Sequence, residues 1–258
     1  GQTDENNLTD SATSAEKTVS VVRGTITPTV STQTTIVPAV PFIISSPENG
    51  IFNSAVELEE KITAGQIIGT VNGKELKSPV DGTITSIAPS NESVPSNYPV
   101  AIVQYTGFAL NVEADNFLST LPEYAELKAK FQVYDGVGPT DMIAVVSPAA
   151  DENAFTGIVP QKGILQCLIS QTVDVKSGQS ATVVITATTR NDVLILPLSV
   201  IAGRQGTGLV TVITPNGERV ETKVTLGVTD GANIEILSGL EEGDVVSATP
   251  PNLDPRGI

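Results

Sequence analysis

Apolar and polar residues alternate along most of this chain in short runs, the pattern that β-strands produce. The first run is expected to break at Arg23-Gly24, and the second places Ile26, Pro28 and Val30 on one face. Since proline gives no N–H to a strand ladder, we expect the second strand at a sheet edge or at a bulge. Further runs predict strands at residues 131–134, 142–146, 157–160, 164–172 and 181–187.

One stretch departs from this alternation. Residues 117–130 place Leu118, Leu121 and Ala125 at helical spacing, with Pro122 near the start of the stretch. Proline is tolerated in the first turn of a helix, where its missing N–H would have no partner. The sequence therefore predicts an all-β protein with one short helix.

The last third of the chain carries the clearest hairpin. Residues 209–214 and 219–226 alternate on either side of Pro215-Asn216-Gly217-Glu218, a strong turn signal. A second turn, at Gly239-Leu240-Glu241-Glu242-Gly243-Asp244, leads into the short strand Val245-Val246.

The centre of the first half is an internal repeat. A shift of 32 positions places Ser46-Pro47-Glu48-Asn49-Gly50 over Ser78-Pro79-Val80-Asp81-Gly82, and it matches Ile62 with Val94, Ile68 with Val100, and Val71 with Val103. Proline, Asn or Asp, and glycine each favour a tight turn. Two like β motifs that cannot bury their apolar faces alone are expected to pack on each other. Between them, Asn72-Gly73 predicts a two-residue type I′ hairpin.

Charge and composition exclude several kinds of function. The chain has 14 Lys and Arg against 29 Asp and Glu, a formal charge of −15, so it would repel nucleic acid and anionic membrane surfaces. It has no His, which removes the usual general base and the commonest metal ligand. Its one Cys, Cys167, shares a strand face with Leu165 and Ile169 and is interpreted as a buried apolar group. Adjacent carboxylates such as Glu59-Glu60 point to opposite faces of a strand, so the sequence predicts neither an enzyme nor a cofactor or metal site.

No apolar run reaches the roughly 20 residues that a membrane-spanning helix needs. The residues before Lys17 are polar and predict a solvated tether, which would suit a domain held off a membrane. Any signal peptide, lipid-bearing Cys or membrane helix would lie upstream.

With these segments placed, the chain resembles the bacterial membrane fusion proteins, the extracytoplasmic adaptor subunits of ABC- and RND-type efflux systems. The resemblance rests on segments in the two repeat halves and in the last third: Gly65-Gln66-Ile67-Ile68, Ser78-Pro79-Val80-Asp81-Gly82-Thr83-Ile84, Ser177-Gly178-Gln179, Leu196-Pro197-Leu198-Ser199-Val200-Ile201, Val224-Thr225-Leu226-Gly227, and the run from Glu235 to Val246. It implies an elongated protein of three β domains in a row. Their expected bounds are residues 1–17 as a tether, 18–40 with 187–250 as a membrane-proximal β domain, 41–104 as a lipoyl-like barrel-sandwich hybrid, 105–186 as a β-barrel, and 251–258 as a tail.

One departure from the family changes the expected owner and partners. Many members insert a long helical hairpin between the lipoyl-like halves, but residues 71–78 leave no room for it. The resemblance then implies an adaptor on the surface of a Gram-positive cell that contacts an exporter permease, with a membrane anchor upstream and the possibility of a homo-oligomer. From position alone, we expect partner contacts at the tip Asn72, Gly73, Lys74 and Glu75, and at the loop with Arg204 and Gln205.

Two alternatives remain open at this stage. Lipoyl and biotinyl domains carry a cofactor on a hairpin-tip lysine, and Lys74 lies at such a tip, although its neighbours Gly73 and Glu75 do not match either motif. An exported β protein can also bind cell-wall or other carbohydrate on exposed aromatic residues. Against this, the chain has no Trp, and Phe42, Phe52, Phe131 and Tyr134 lie in apolar contexts that indicate core positions.

Overall fold

The structure is a computed structural model that describes residues 16–123, 125–136, 138–150, 162–204 and 206–253. The first eight strands are β1 (Thr18–Ser20), β2 (Val22–Ile26), β3 (Thr29–Thr35), β4 (Val37–Pro38), β5 (Phe42–Ser45), β6 (Gly50–Ser54), β7 (Lys61–Ile62) and β8 (Ile67–Val71). The next eight are β9 (Lys74–Lys77), β10 (Gly82–Ile87), β11 (Glu92–Val94), β12 (Pro99–Gln104), β13 (Phe108–Glu113), β14 (Leu127–Val133), β15 (Thr140–Asp141) and β16 (Ala144–Pro148).

The last eight strands are β17 (Ile164–Leu168), β18 (Ser180–Ala187), β19 (Arg190–Pro197), β20 (Ala202–Arg204), β21 (Thr207–Ile213), β22 (Arg219–Thr229), β23 (Asn233–Ser238) and β24 (Val245–Ser247). One helix, α1 (Asp115–Ser119), follows β13, and a 3-10 turn covers Leu198–Val200. The all-β prediction with one short helix is therefore confirmed.

The chain divides into two compact units. The central unit contains Thr25–Asn191 and Val228–Gly231, and the terminal unit contains the chain up to Gly24, Asp192–Gly227 and the chain from Ala232. The finer domain boundaries expected from the sequence stay predictions.

The repeat in the central unit forms two sheets of identical strand order. One is β11-β6-β8-β9, and the other is β7-β10-β12-β5, which forms half of an eight-stranded sheet among the described residues. A shift of 32 positions converts each strand of one sheet into the strand at the same place in the other. The two copies therefore exchange strands, since β9 of the first sheet corresponds to β5 of the second and β11 corresponds to β7.

The strand registers obey the same shift. Phe52 lies opposite Val71 in the first sheet, and Ile84, which is 32 positions further on, lies opposite Val103 in the second. Likewise Val94 pairs with Gly50, and Ile62 pairs with Gly82. The 32-residue repeat predicted from the sequence is confirmed.

The turn that begins each copy explains why the repeated residues are Ser and Asn or Asp. The hydroxyls of Ser46 and Ser78 are buried, and each donates a 2.6 Å hydrogen bond to the carbonyl two residues on. The side chain of Asp81 accepts from the N–H of Ala64 at 2.7 Å, and that of Asn49 accepts from the N–H of Ser96 at 2.7 Å. Each turn is thus bound by a loop of the other copy, and the two loops, at Ala64 and Ser96, are themselves related by the shift of 32 positions, so neither copy is complete without the other.

Gly50 and Gly82 occupy equivalent positions in the two copies, but we expect their substitution by alanine to change the free energy of unfolding by different amounts. A Cβ atom at Gly82 would lie 2.7 Å from the backbone oxygen of Gln104, whereas one at Gly50 would meet the side chain of Asn72, the residue equivalent to Gln104. Because backbone yields less easily than a side chain, Gly82→Ala should lower the free energy of unfolding by about 1–3 kcal/mol. Gly50→Ala should cost about 1 kcal/mol, the value of the hydrogen bond that Asn72 makes with Asn49.

Urea unfolding of both variants checks this difference. The variant Asn72→Gly supplies the control, because Gly50→Ala should cost almost nothing further once the obstructing side chain is gone. Equal losses for the two glycine variants would contradict the account.

The rest of the central unit forms a nearly closed barrel. Strands β15-β14-β18-β3 make one side, and β4-β13-β17-β16 make the other, which continues into the second repeat sheet through β5. The core between them is apolar and includes Leu110, Phe131, Cys167, Val183 and Ile185. Cys167 is fully buried, as predicted, and burial raises the pKa of its thiol to about 12.

The helix predicted over residues 117–130 is wrong beyond its first turn. Helix α1 ends at Ser119, and Leu127 begins β14, opposite Ala187 of β18. Pro122 has no N–H for a continuing helix, and pairing with β18 gives residues 127–133 a buried face. Residues 157–160, predicted as a strand, lie outside the described residues.

The first predicted strand break is also wrong. The interruption falls at Val21, and Arg23-Gly24 lies inside β2. Val21 is instead bonded to the turn at residues 239–244: its N–H donates to the carbonyl of Asp244, and its carbonyl accepts from the N–H of Gly243, both at 2.8 Å. Pro28 lies between β2 and β3, so the predicted second strand is divided at the proline. Among the described residues, β2 and β3 are each the last strand of their sheet, so the expected edge position is confirmed.

The terminal unit is built on a sheet in which β1, β24, β21, β22, β23 and β19 lie side by side in that order. The predicted hairpin is confirmed, because β21 pairs with β22 from Ile213 opposite Arg219 back to Thr207 opposite Thr225. Its core includes Val21, Leu196, Val210, Val224 and Val246.

The hydrogen bonds of the Glu16 carboxylate lead us to expect that acid lowers the stability of the terminal unit. The Arg219 guanidinium and then the Ser247 hydroxyl donate hydrogen bonds that hold the pKa of the Glu16 carboxyl below its usual range. Because the folded-state pKa is lowered, this stabilisation is present above the unfolded-state value near 4.5 and is lost as the pH falls through the folded-state value. The variant Glu16→Gln should therefore lose less of its thermal midpoint than the parent between pH 7 and pH 3, measured by far-UV circular dichroism. Equal losses would contradict this role for Glu16.

Candidate functional site

The predicted contact tip is a two-residue hairpin between β8 and β9. Val71 lies opposite Lys74, and the two turn residues, Asn72 and Gly73, have φ values of 51° and 77°. Positive φ at both positions is the requirement of a type I′ turn, which Asn-Gly meets at little cost. The hairpin predicted here is confirmed, whereas its role as a contact site stays a prediction.

Polar contacts hold this tip against the first repeat turn. The Asn72 side-chain amide donates to the carbonyl of Asn49 at 2.8 Å, and the Lys74 ammonium lies 3.1 Å from Oε1 of Glu48. That oxygen is buried and makes no hydrogen bond of good geometry, so the ammonium is its counter-charge. The Lys74 side chain is 68% exposed, so the pair contributes at most about 1 kcal/mol.

Lys74 is also the residue of the covalent-carrier alternative, which stays open. It is the first residue of β9 and not part of the turn itself. An intact mass above that of the sequence, on protein from its own cell, would support a carried cofactor, and the sequence mass would exclude it.

The second predicted contact loop lies in the terminal unit. Backbone pairing places Arg204 opposite Thr207 at the end of β20, and the N–H of Leu226 donates to the carbonyl of Gly206 at 2.9 Å. Gln205 lies outside the described residues. The structure thus places the two predicted contact loops in different units.

Sequence reasoning missed a buried polar joint between the repeat and the barrel. Gln166 of β17 is fully buried, and its amide accepts from the N–H of Val40 at 2.8 Å and donates to the Val40 carbonyl at 3.0 Å. From the other side, Gln104 donates to the carbonyl of Ala39 at 3.2 Å. Both glutamines therefore bind the short segment between β4 and β5. The available signal was a single polar residue inside an apolar strand, which usually has a specific partner when buried.

A cavity of about 830 Å³ lies beside this joint. It is bordered by Pro38, by residues 104–108 and by residues 169–175. The Tyr105 hydroxyl donates to the carbonyl of Ile169 at 2.6 Å, and burial raises the pKa of this phenol. The hydroxyl is therefore fixed in a structural bond, which leaves a mostly apolar cleft without an acid–base pair.

One edge of the repeat is used differently in the two copies. The outer edge of β5 pairs with β16, where Ile43 lies opposite Ser147 and Phe42 opposite Pro148. The equivalent strand β9 ends its sheet and has no strand partner on its outer side among the described residues. This edge carries Lys74, Glu75 and Lys77, and charged residues of this kind discourage unspecific strand pairing.

Tyr134 was predicted to lie in the core, and that prediction is wrong. The residue is 80% exposed, whereas Phe42, Phe52 and Phe131 are buried as predicted. Tyr134 follows the last residue of β14, where the chain leaves the barrel core for a turn at Asp135, whose φ is 52°. It borders a cleft of about 570 Å³ together with Gln33, Gln132, Ser180 and other residues of that barrel end.

The described residues contain no group of three or more His, Cys, Asp or Glu side chains placed to hold a metal ion. Within the same part of the chain, every helix is too short or too polar to cross a membrane.

Comparison with known proteins gives matches among solved structures only. No protein-family model matches the chain, and no curated protein matches it in sequence. ZneB from Cupriavidus metallidurans is 12% identical with a TM-score of 0.38, over 92% of this chain and 93% of ZneB. MacA from Actinobacillus actinomycetemcomitans is 13% identical with a TM-score of 0.39, over 90% of this chain and 99% of MacA.

A third match is a MacA–MexA chimera that contains the α-hairpin domain of Pseudomonas aeruginosa MexA. It is 14% identical with a TM-score of 0.35, over 87% of this chain and 98% of the chimera. Because identities and TM-scores are low, the functions of these proteins do not transfer to this chain on likeness alone. ZneB, MacA and the MacA–MexA chimera are each similar to this chain over more than four-fifths of both chains.

Proposed function

We propose that this protein is an extracytoplasmic, non-enzymatic adaptor subunit of an efflux or export transporter. The observation that supports this most directly is the strand-exchanged repeat, with two sheets of equal order and register related by a shift of 32 residues. This is the arrangement that a split lipoyl-like, barrel-sandwich hybrid domain requires. A nearly closed β-barrel adjoins it in the central unit.

The chemistry of the described residues supports a mechanical role. The Cys167 thiol is buried with a pKa of about 12, and the Tyr105 hydroxyl beside the 830 Å³ cavity donates to a backbone carbonyl. The side chains of Gln166 and Asp81 have a structural role, because each binds a backbone N–H of another segment of the chain. Such a chain offers rigid faces to a partner, which is what an adaptor must supply.

The hairpin between β8 and β9 refines the proposal. A two-residue turn at Asn72-Gly73 occupies the place where a channel-docking helical hairpin would be inserted. An adaptor of this form would bridge no outer membrane, so we propose a Gram-positive cell surface, an anchor upstream and a permease as partner. This step rests on family analogy.

Photo-crosslinking in the native envelope tests the proposal. A crosslinking amino acid is placed at Asn72, at Glu75, and at the exposed control position Gln33 on the barrel strand β3. We expect the tip positions to capture an exporter permease and the control position to capture it much less. Copurification of the full-length protein without any permease, and no crosslink from any position, would contradict the adaptor role.

The exposed side chain of Tyr134 favours a second candidate function, that of a carbohydrate-binding module. A tyrosine face beside polar side chains such as Gln33 is a surface that a sugar ring can stack on. Sedimentation with purified peptidoglycan measures this directly. Binding that Tyr134→Ala abolishes would favour the second candidate, whereas no binding by the parent protein would exclude it.

A further inference from the structure

The dipeptide Asn-Gly occurs three times in this chain, at Asn49-Gly50, Asn72-Gly73 and Asn216-Gly217. Asparagine is one of the residues that degrade chemically in proteins, and a following glycine leaves the reacting atoms accessible because it has no Cβ. The same two residue types react at all three sites. Differences between their rates in the folded protein therefore come from the surrounding structure.

The reaction joins the asparagine side chain to the backbone of the next residue. The glycine nitrogen loses its proton to hydroxide and forms a bond to the asparagine Cγ, while the Cγ–Nδ2 bond breaks and the released nitrogen takes a proton from water and leaves as ammonia. One water molecule then opens the resulting imide ring at either of its carbonyl carbons, which gives aspartate or isoaspartate. The step needs a glycine N–H without a hydrogen bond in the protein, and a backbone that can turn this nitrogen toward Cγ.

Two of the three sites are held in conformations that oppose this step. Gly50 is the first residue of β6 and is paired with β11, while the Asn49 side chain accepts from the N–H of Ser96 at 2.7 Å. In the hairpin between β21 and β22, the N–H of Gly217 donates to the carbonyl of Thr214 at 2.8 Å. Attack at either site requires that these contacts are first lost.

The third site, at Asn72, is open. Asn72 and Gly73 are both exposed, and the bonds that close a two-residue hairpin run between the flanking residues, so the N–H of Gly73 has no partner among the described residues. One exposed hydrogen bond, from the Asn72 amide to the carbonyl of Asn49, restrains the side chain. A single bond of this kind slows opening by only about fivefold.

We propose that Asn72 is a self-modification site, which in the folded protein converts to isoaspartate and aspartate faster than Asn49 or Asn216. The inference goes beyond the adaptor role and does not depend on it, since it concerns the chemistry of the hairpin between β8 and β9.

The modification releases this hairpin from the first repeat turn. A carboxylate at position 72 cannot donate, so the carbonyl of Asn49 loses its hydrogen bond and faces a negative charge. Isoaspartate also adds one atom to the backbone of the two-residue turn, which then no longer fits the pairing of Val71 with Lys74. The new carboxylate competes as well with Glu48 for the Lys74 ammonium.

Peptide mapping by mass spectrometry tests the proposal. The folded protein is incubated in mildly alkaline buffer, each site is quantified by its mass increase of about 1 Da, and electron-transfer fragmentation separates isoaspartate from aspartate. We expect modification at Asn72 to be faster than at Asn49 or Asn216 by about fivefold or more. In urea-unfolded protein, the control, the three rates should agree within about threefold, because each site is then a flexible Asn-Gly pair.

Two variants test the effect on the hairpin. Asn72→Asp removes the donor and should lower the hydrogen-exchange protection of the Lys74 amide by about fivefold, the effect of one lost hydrogen bond. Its control, Asn216→Asp, makes the same change of charge in the hairpin between β21 and β22 and should leave the protection of this amide unchanged.

The proposal is overturned if Asn49 or Asn216 is modified as fast as Asn72 in the folded protein, or if none of the three sites reacts. Unchanged protection of the Lys74 amide in Asn72→Asp would overturn the release of the hairpin. None of these measurements involves a permease or a sugar, so they can fail while the crosslinking experiment succeeds, and the reverse.

Discussion

Replacing Phe52 by alanine is expected to lower the free energy of unfolding of the central unit by about 3–5 kcal/mol. The Phe52 ring is fully buried at the middle of β6, where it packs in a small cluster with Val71, Val94 and Val100. This cluster contains few residues, so its neighbours cannot close the space left by a lost ring. The same ring also lies against Gly69 of β8, where an added Cβ would be 2.6 Å from it.

Tyrosine fluorescence makes this measurement specific to the central unit. All four Tyr and six Phe lie between positions 42 and 155, and the chain has no Trp. Leu58→Ala is the control, because Leu58 is 57% exposed and its loss should change stability by less than about 0.5 kcal/mol. A loss below about 1 kcal/mol for Phe52→Ala would show that the cluster is not packed as described.

Replacing Gln166 by leucine is expected to cost about 2–4 kcal/mol. The substitution keeps the size of the side chain but leaves the N–H and the carbonyl of Val40 without the amide that binds both, and each unpaired group costs about 1–3 kcal/mol when it is buried. Val40 itself is 39% exposed, so water can satisfy part of the loss, and the total should fall below the sum of two fully buried groups.

Urea unfolding followed by tyrosine fluorescence again gives the value. Gln33→Leu is the matched control, since Gln33 lies exposed on β3 of the same unit and should be nearly neutral. The variant Gln166→Leu should also show faster hydrogen exchange at the backbone amide of Val40, which loses its acceptor, and at that of the neighbouring Ala39. An unchanged exchange rate at these amides would show that Gln166 does not hold this segment.

The repeat could be predicted from sequence because its signals are local. Ser-Pro-x-Asn/Asp-Gly encodes a turn through residues that are adjacent in the chain, and the alternation around Ile68 and Val100 marks the faces of the following strands. Asn72-Gly73 fixed its hairpin in the same way. Fold class and repeat register followed from these short-range rules.

What could not be predicted depends on contacts between distant residues. The pairing of β16 with β5 joins positions about a hundred residues apart, and nothing in Ile43 or Ser147 indicates it. For the same reason, the partner of Gln166 was invisible. The helix expected over residues 117–130 failed because pairing of β14 with β18 outweighed a weak helical period. Tyr134 was misplaced because the alternation of β14 ends one residue before it.

The first and the last strands of the described chain are neighbours, since Thr18 of β1 lies opposite Ser247 of β24. During synthesis on the ribosome, the terminal unit cannot be completed until β24 has emerged, whereas Thr25–Asn191 contains nearly all of the central unit. Closing so long a loop is slow and entropically costly, unless the intervening residues have already become compact. We therefore expect vectorial folding in which the central unit forms first and shortens the loop between β1 and β24. Once residues up to about 200 have left the ribosome, the nascent chain should display a folded central unit and an unpaired β1.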